Sequence, residues 1–173
     1  MKSARFLPVA ALLLSAAVST WSLGRHFEGA LTHEFCNYAE IGRNLVEGRG
    51  LKTAMVYPLT LAALDERGEL FDGLAPVLDR FPLHAALTAL ALLISGDGDG
   101  GPAALSALLL GLLAAATAAA GLLLFGPVEA ALAAALVALN PSFQRAFVLW
   151  GQPDFGFAAL VLPLTLLVVL AKE

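Results

Sequence analysis

The chain has 173 residues, 59% of them hydrophobic and 14% charged, with a mean hydropathy of +0.81. That balance excludes an ordinary soluble domain, and a net charge of -4 with no basic cluster excludes a nucleic-acid partner. Cys36 is the sole cysteine, which rules out an intramolecular disulfide and a cysteine-based metal site.

Lys2 and Arg5 precede an uncharged run, residues 6–24, long enough to cross a bilayer core of roughly 30 Å. The basic flank predicts a cytoplasmic N-terminus. A cleaved signal peptide opens the same way, with basic residues and then small ones such as Ser15, Ala16 and Ala17. The apolar run continues through Val18, Trp21 and Leu23, which favours a retained span.

Residues 25–102 then fall outside the membrane. Within them, residues 33–50 have helical periodicity: Phe35, Tyr38, Ile41, Leu45 and Val46 form one stripe, while Glu34, Glu40, Arg43 and Glu47 fall elsewhere. Gly48 and Gly50 end the helix, with Arg49 near its carbonyl end. Such an amphipathic helix beside a span suits a membrane surface. A turn is expected at Asp65-Glu66-Arg67-Gly68.

Pro82–Ser95 is apolar but about fourteen residues long, below the usual length of a span, and reads as an interfacial or re-entrant helix. A flexible acidic linker, residues 96–101, follows. Residues 103–125 are an uncharged run rich in Ala, Leu and Gly, whose small residues would let neighbouring helices approach closely. Residues 127–147, interrupted at Asn140-Pro141, and 155–171 are the next apolar runs, and Lys172 follows.

The expected fold is therefore all-α and integral to a membrane, a single membrane domain. It has about four transmembrane helices (6–24, 103–125, 127–147, 155–171) and an extracytoplasmic loop with interfacial amphipathic helices. This alternation places residues 126–129 inside and 145–154 outside, and leaves Lys2, Arg5 and Lys172 together on the cytoplasmic side. Counting Pro82–Ser95 as a span would instead separate Glu34 from Asp154 across the membrane.

The run Glu34, Tyr38-Ala39-Glu40-Ile41, Arg43-Asn44-Leu45, Gly48-Arg49-Gly50 resembles the first extracytoplasmic loop of the C-type membrane glycosyltransferases. The similarity is to the bacterial family 39 enzymes related to protein mannosyltransferases and lipid A aminoarabinose transferases. It covers residues 33–50 and, more loosely, the hydropathy layout to residue 171. The family's acidic pair usually contains an aspartate; here His33-Glu34 stands in its place. Those enzymes are several times longer, so the resemblance implies an N-terminal part of a larger protein.

The resemblance implies transfer of a sugar, with inversion, from a polyprenyl-phosphate donor to a protein or glycolipid acceptor at the outer face of the inner membrane. Such a reaction needs a carboxylate to take the acceptor's hydroxyl proton, cationic groups for the phosphate, and access for a lipid tail. Glu34 is the implied base; opening a helix, where a carboxylate suits the dipole, is its alternative role. His33 is a second acid/base group or a solvated side chain. Arg80, before Phe81-Pro82-Leu83, matches the basic residue that holds the lipid phosphate, or anchors an interfacial helix. Asp154, after Asn140-Pro141 and Gly151-Gln152-Pro153, matches an acidic residue lining the pocket, or is a helix N-terminal charge.

His26 and His33 are seven apart, but no third ligand has metal-site spacing and no His-Glu-x-x-His pattern occurs. Some of the resembling enzymes use a divalent cation and others do not, so the cofactor stays open. A membrane scaffold or transporter subunit without enzymatic activity is the rival reading, as is an inactive, truncated family member. The lack of charges within the apolar runs argues against an ion or proton pathway.

Overall fold

The computed structural model describes residues 5–56, 58–68, 71, 73–77, 80, 82–96, 98–153, 157–159, 161–163 and 165. Contacts divide the chain into two compact units, residues 1–29 with 103–173, and residues 30–102. The described residues are mostly helical, and two helices, Leu7–His26 (α1) and Gly100–Leu124 (α5), are long and apolar enough to cross a membrane. Asp154, Lys172 and most of residues 155–171 lie outside the described residues.

In the first unit, α1 packs against Pro127–Leu139 (α6) and a π-helical turn at Gln144–Leu149. The packing inverts the pattern of a water-soluble protein. Alanines make one core, with Ala11, Ala114, Ala118, Ala134 and Ala138 in a single cluster. Large apolar side chains point outward: Val128, Leu132, Leu136 and Leu139 on α6, and Val9, Leu13 and Trp21 on α1, are exposed. Small residues inside let helix backbones approach, and bulky apolar residues outside suit hydrocarbon. Gly121 marks the tightest approach, since a Cβ there would lie 2.6 Å from the Ala130 Cα. α1 is built into this core through Ala11 and hydrogen-bonds across it through Ser19.

The Asn140-Pro141 break is real and has a local cause. Pro141 cannot donate a backbone hydrogen bond, and the Asn140 side chain accepts from the Ser142 and Phe143 amides (2.8 and 3.4 Å), capping a new helix. Pro141–Leu149 therefore leaves α6 at a 43° bend. The Ser142 amide would otherwise serve the Ala138 carbonyl, four residues back. Gln144 supplies the missing donor. Its Nε2 donates to Ala138 O (2.9 Å), while its Oε1 accepts from Ser19 Oγ of α1 (3.1 Å). In an apolar surrounding, a freed carbonyl must find such a partner.

The second unit is built on His33–Val46 (α2) and Pro82–Ser95 (α4), which pack face to face. Thr32 caps α2, its Oγ1 accepting from the Phe35 amide (3.2 Å), and Glu34 sits in the first turn, both favourable at a helix N-terminus. Gly48, with φ +74°, takes the left-handed conformation just beyond the end. Of the predicted apolar stripe, Phe35, Tyr38 and Ile41 are buried but Val46 is exposed. The polar side of α2 is buried as well, at Asn37 and Asn44. Gly42 sits against Thr88 and Leu92 of α4.

Periodicity gave no sign of a short antiparallel pair, Lys52–Thr53 with Ala75–Pro76, register Lys52↔Pro76 and Thr53↔Ala75. Pro58–Glu66 (α3) connects these strands and closes with a turn in which Gly68 N–H donates to Asp65 O (3.0 Å). The unit's two ends meet: Asp99 Oδ2 accepts from the Ala30 amide (2.9 Å).

Candidate functional site

Glu34 and Arg80, forty-six positions apart, form an ion pair. Arg80 Nη1 donates to Glu34 Oε2 at 2.5 Å. The first turn of α2 supplies the carboxylate; the guanidinium comes from the segment leading into α4. The two ends of the pair differ in exposure, with the arginine side chain 12% exposed and the glutamate 34%. The carboxylate is the half that solvent or a ligand reaches.

A polar network extends behind the pair. The Thr53 hydroxyl has one proton, and the acceptors on it are Glu40 Oε2 (2.9 Å) and the Asn37 amide (3.0 Å). Glu40 can only accept, so it takes the proton, and Asn37 must donate its NH2 to Thr53. The Asn37 oxygen then faces Arg80 and accepts from Nε (3.1 Å) and Nη2 (3.3 Å). Glu40 Oε1 also accepts from the Ala54 amide (2.8 Å), tying α2 to the loop after the first strand. Arg80 is thus held on two edges by Glu34 and Asn37, and its guanidinium carbon lies 5.9 Å from the Tyr38 ring centroid, within cation–π range.

His84, on the first turn of α4, meets Tyr38 edge to face with ring centroids 4.6 Å apart. Burial lowers its pKa from 6.5 to about 4, because desolvation disfavours the charged imidazolium. At neutral pH the His84 imidazole is therefore uncharged.

His33 is exposed at the first position of α2. Arg43, partly exposed on α2, pairs with Asp99 (2.7 Å). Beside it, a groove of about 390 Å³ is lined by Arg43, Val46, Glu47, Leu92, Leu93 and Gly96. Glu34 lies nine residues before Arg43 on α2, about 14 Å along a helix rising 1.5 Å per residue, and neither Glu34 nor Arg80 lines that groove. Among the described residues, no group of three or more His, Cys, Asp and Glu side chains is placed to hold a metal ion.

Sequence reasoning reached Glu34 and Arg80 but missed Asn37, Tyr38, Glu40, Thr53 and His84. A signal existed for two of these. Asn37 and Tyr38 stand three and four positions after Glu34, on the same helix face. Thr53 and His84 carry no local mark of their partners.

No family model, curated protein or solved structure matches the chain.

Proposed function

We propose that the chain is the N-terminal part of a membrane glycosyltransferase that moves a sugar from a polyprenyl-phosphate donor to a protein or glycolipid acceptor. In this reading it has four spans in the inner membrane, a cytoplasmic N-terminus, and residues 25–102 at the outer face. The observation that carries the reading is the Glu34–Arg80 contact. The carboxylate and the guanidinium that such chemistry requires come from separate segments to one place, behind which the chain has invested a buried network.

Glu34 takes the proton of the acceptor hydroxyl as its oxygen attacks the sugar's anomeric carbon. The bond from that carbon to the phosphate oxygen breaks, and the electron pair leaves with the polyprenyl phosphate. Arg80 stabilises the charge that develops on the leaving phosphate. The resting ion pair must open first, because a base and a phosphate ligand work on opposite sides of the anomeric carbon. Donor phosphate competes with Glu34 for the guanidinium, and its arrival frees the carboxylate. Asn37 and Tyr38 hold Arg80 in place through the exchange. His33, exposed at the first position of α2, contributes to the pocket.

A second reading has its own observation. Arg80 is nearly buried and engaged by Glu34, Asn37 and the Tyr38 face, which also suits a purely structural clamp in a non-enzymatic membrane scaffold. The two separate on sugar transfer by the full-length protein in native membranes, using polyprenyl-phosphate mannose, glucose and aminoarabinose as donors. The transferase reading expects transfer from one donor, lost in Glu34→Gln with expression unchanged. Transfer unaffected by that substitution would refute it and leave the clamp.

A further inference from the structure

We propose that the end of α1, where Arg25 lies over the Trp21 ring with His26 beside it, holds the phosphate of a membrane phospholipid. The inference rests on α1 crossing a bilayer and not on the transferase reading. It gives a partner to side chains that the proposed reaction leaves unused.

α1 has 20 residues, about 30 Å at 1.5 Å per residue, which matches the hydrocarbon core of a bilayer. A spanning helix of that length has its last turn at the headgroup layer. There the apolar run gives way to Arg25 and His26, one turn beyond Trp21. The Arg25 guanidinium carbon lies 6.0 Å from the Trp21 ring centroid, at the outer edge of cation–π range. The His26 ring meets the same indole edge to face, with centroids 6.0 Å apart. All three side chains are exposed, Trp21 by 60%. Arg43, Arg49 and Arg80 each pair with a carboxylate. Among the described residues Arg25 has no such partner, although Glu28, also exposed, follows three positions later. The fork of donors on its guanidinium is therefore open to an anion.

The neighbouring segment of the same unit has the same character. α1 and Gln144–Leu149 lie side by side and run the same way, since Ser19 meets Gln144 and Leu23 packs on Phe147 and Val148. Trp150 follows directly, 43% exposed, and Arg145 is exposed on that segment. Both tryptophans of the chain thus stand at one end of this unit, each with an exposed arginine four or five positions away. Tryptophan suits the boundary between hydrocarbon and headgroups, where its ring is apolar and its N–H wet. The planar guanidinium fork matches two oxygens of a phosphate. A cation in the last turn also favours the helix dipole, but that role leaves the exposed indole beneath it without a partner. A phospholipid accounts for both, with its phosphate on Arg25 and its glycerol and upper acyl chain along Trp21.

The test uses the full chain, with its arginine Cζ atoms isotopically labelled, in vesicles of phosphatidylethanolamine and phosphatidylglycerol. Rotational-echo solid-state NMR reads the dipolar coupling between those carbons and lipid phosphorus. Dephasing is expected in the native chain and should fall in Arg25→Gln; Arg25 is exposed, so the substitution leaves the alanine core intact. A second preparation replaces the phospholipids with a galactolipid, which has no phosphorus, and supplies inorganic phosphate in the buffer. The Arg25 contribution should vanish there. Equal dephasing in the native and Arg25→Gln proteins, or none in either, would overturn the proposal. An Arg25 contribution that persists in galactolipid would overturn it in favour of a site for a free anion.

Discussion

Replacing Arg80 with methionine removes the guanidinium while keeping much of the side-chain volume. Two groups lose their partner. Glu34 is left without its ion pair, and the Asn37 oxygen loses both donors, at 3.1 and 3.3 Å. Breaking a fully buried ion pair costs about 3–5 kcal/mol, but the Glu34 side chain is 34% exposed and water recovers part of that. An orphaned buried amide oxygen adds about 1–3 kcal/mol. The sum expected for Arg80→Met is about 2–4 kcal/mol. Glu34→Gln keeps a hydrogen bond to Arg80 and should cost about 1 kcal/mol. The double variant removes the stranded charge, so its loss should be smaller than the sum of the single losses by about 1–2 kcal/mol. Hydrogen exchange of α2 amides in the full chain, held in lipid nanodiscs, reads these local opening energies. Additive losses, or an Arg80→Met variant with α2 protection within about 0.5 kcal/mol of the native chain, would refute the geometry on which the site is built.

His84 makes the α2–α4 packing sensitive to acid. Its folded pKa of about 4 lies below the ordinary 6.5, so the unfolded state binds the proton more readily. The neutral-His contribution is complete above pH 6.5, declines as pH falls, and is gone below about pH 4, with a ceiling of about 3 kcal/mol. His84→Phe, which keeps a ring against Tyr38, should flatten the pH dependence of α4 exchange between those values. Gly42→Val should cost about 1–3 kcal/mol, because a Cβ at Gly42 already falls 2.9 Å from Thr88 Cγ2 and 3.2 Å from the Ala89 backbone nitrogen; Gly24→Ala, with nothing within 4 Å, should cost nothing in the same thermal unfolding assay. Gln144→Leu strands the Ala138 carbonyl and Ser19 hydroxyl inside the helical core, and should lower stability by about 1–2 kcal/mol in that assay.

What could be read in the sequence was local. Thr32 and Glu34 opening a helix, Gly48 closing it, and Asn140-Pro141 breaking another are each decided within one turn of chain, and the structure has each of them. Periodicity read the apolar side of α2 correctly at Tyr38 and Ile41 but gave no sign that polar residues on its other side are buried. Asn37 and Asn44 are buried there because partners arrive from far along the chain: Arg80 and Thr53 for the first, and the Lys52 carbonyl for the second. The partner of Arg43, Asp99, lies 56 positions away and has no local signature either. The two-residue strands are too short for any alternation to register. The contact between Glu34 and Arg80 has no local signature, and their joint assignment came from the family resemblance alone.

Every functional reading depends on residues 30–102 being displayed on one side of a membrane that α5 crosses. Two single-cysteine proteins in a Cys36→Ser background test this directly: Arg67→Cys in the turn before α4, and Glu129→Cys in the first turn of α6, both exposed. A membrane-impermeant thiol reagent is applied to intact cells and again after permeabilisation. The account predicts labelling of position 67 from outside and of position 129 only once the membrane is opened. Labelling of both from the same side would mean either that α5 does not cross or that α4 crosses as well, and each would contradict the account at its foundation.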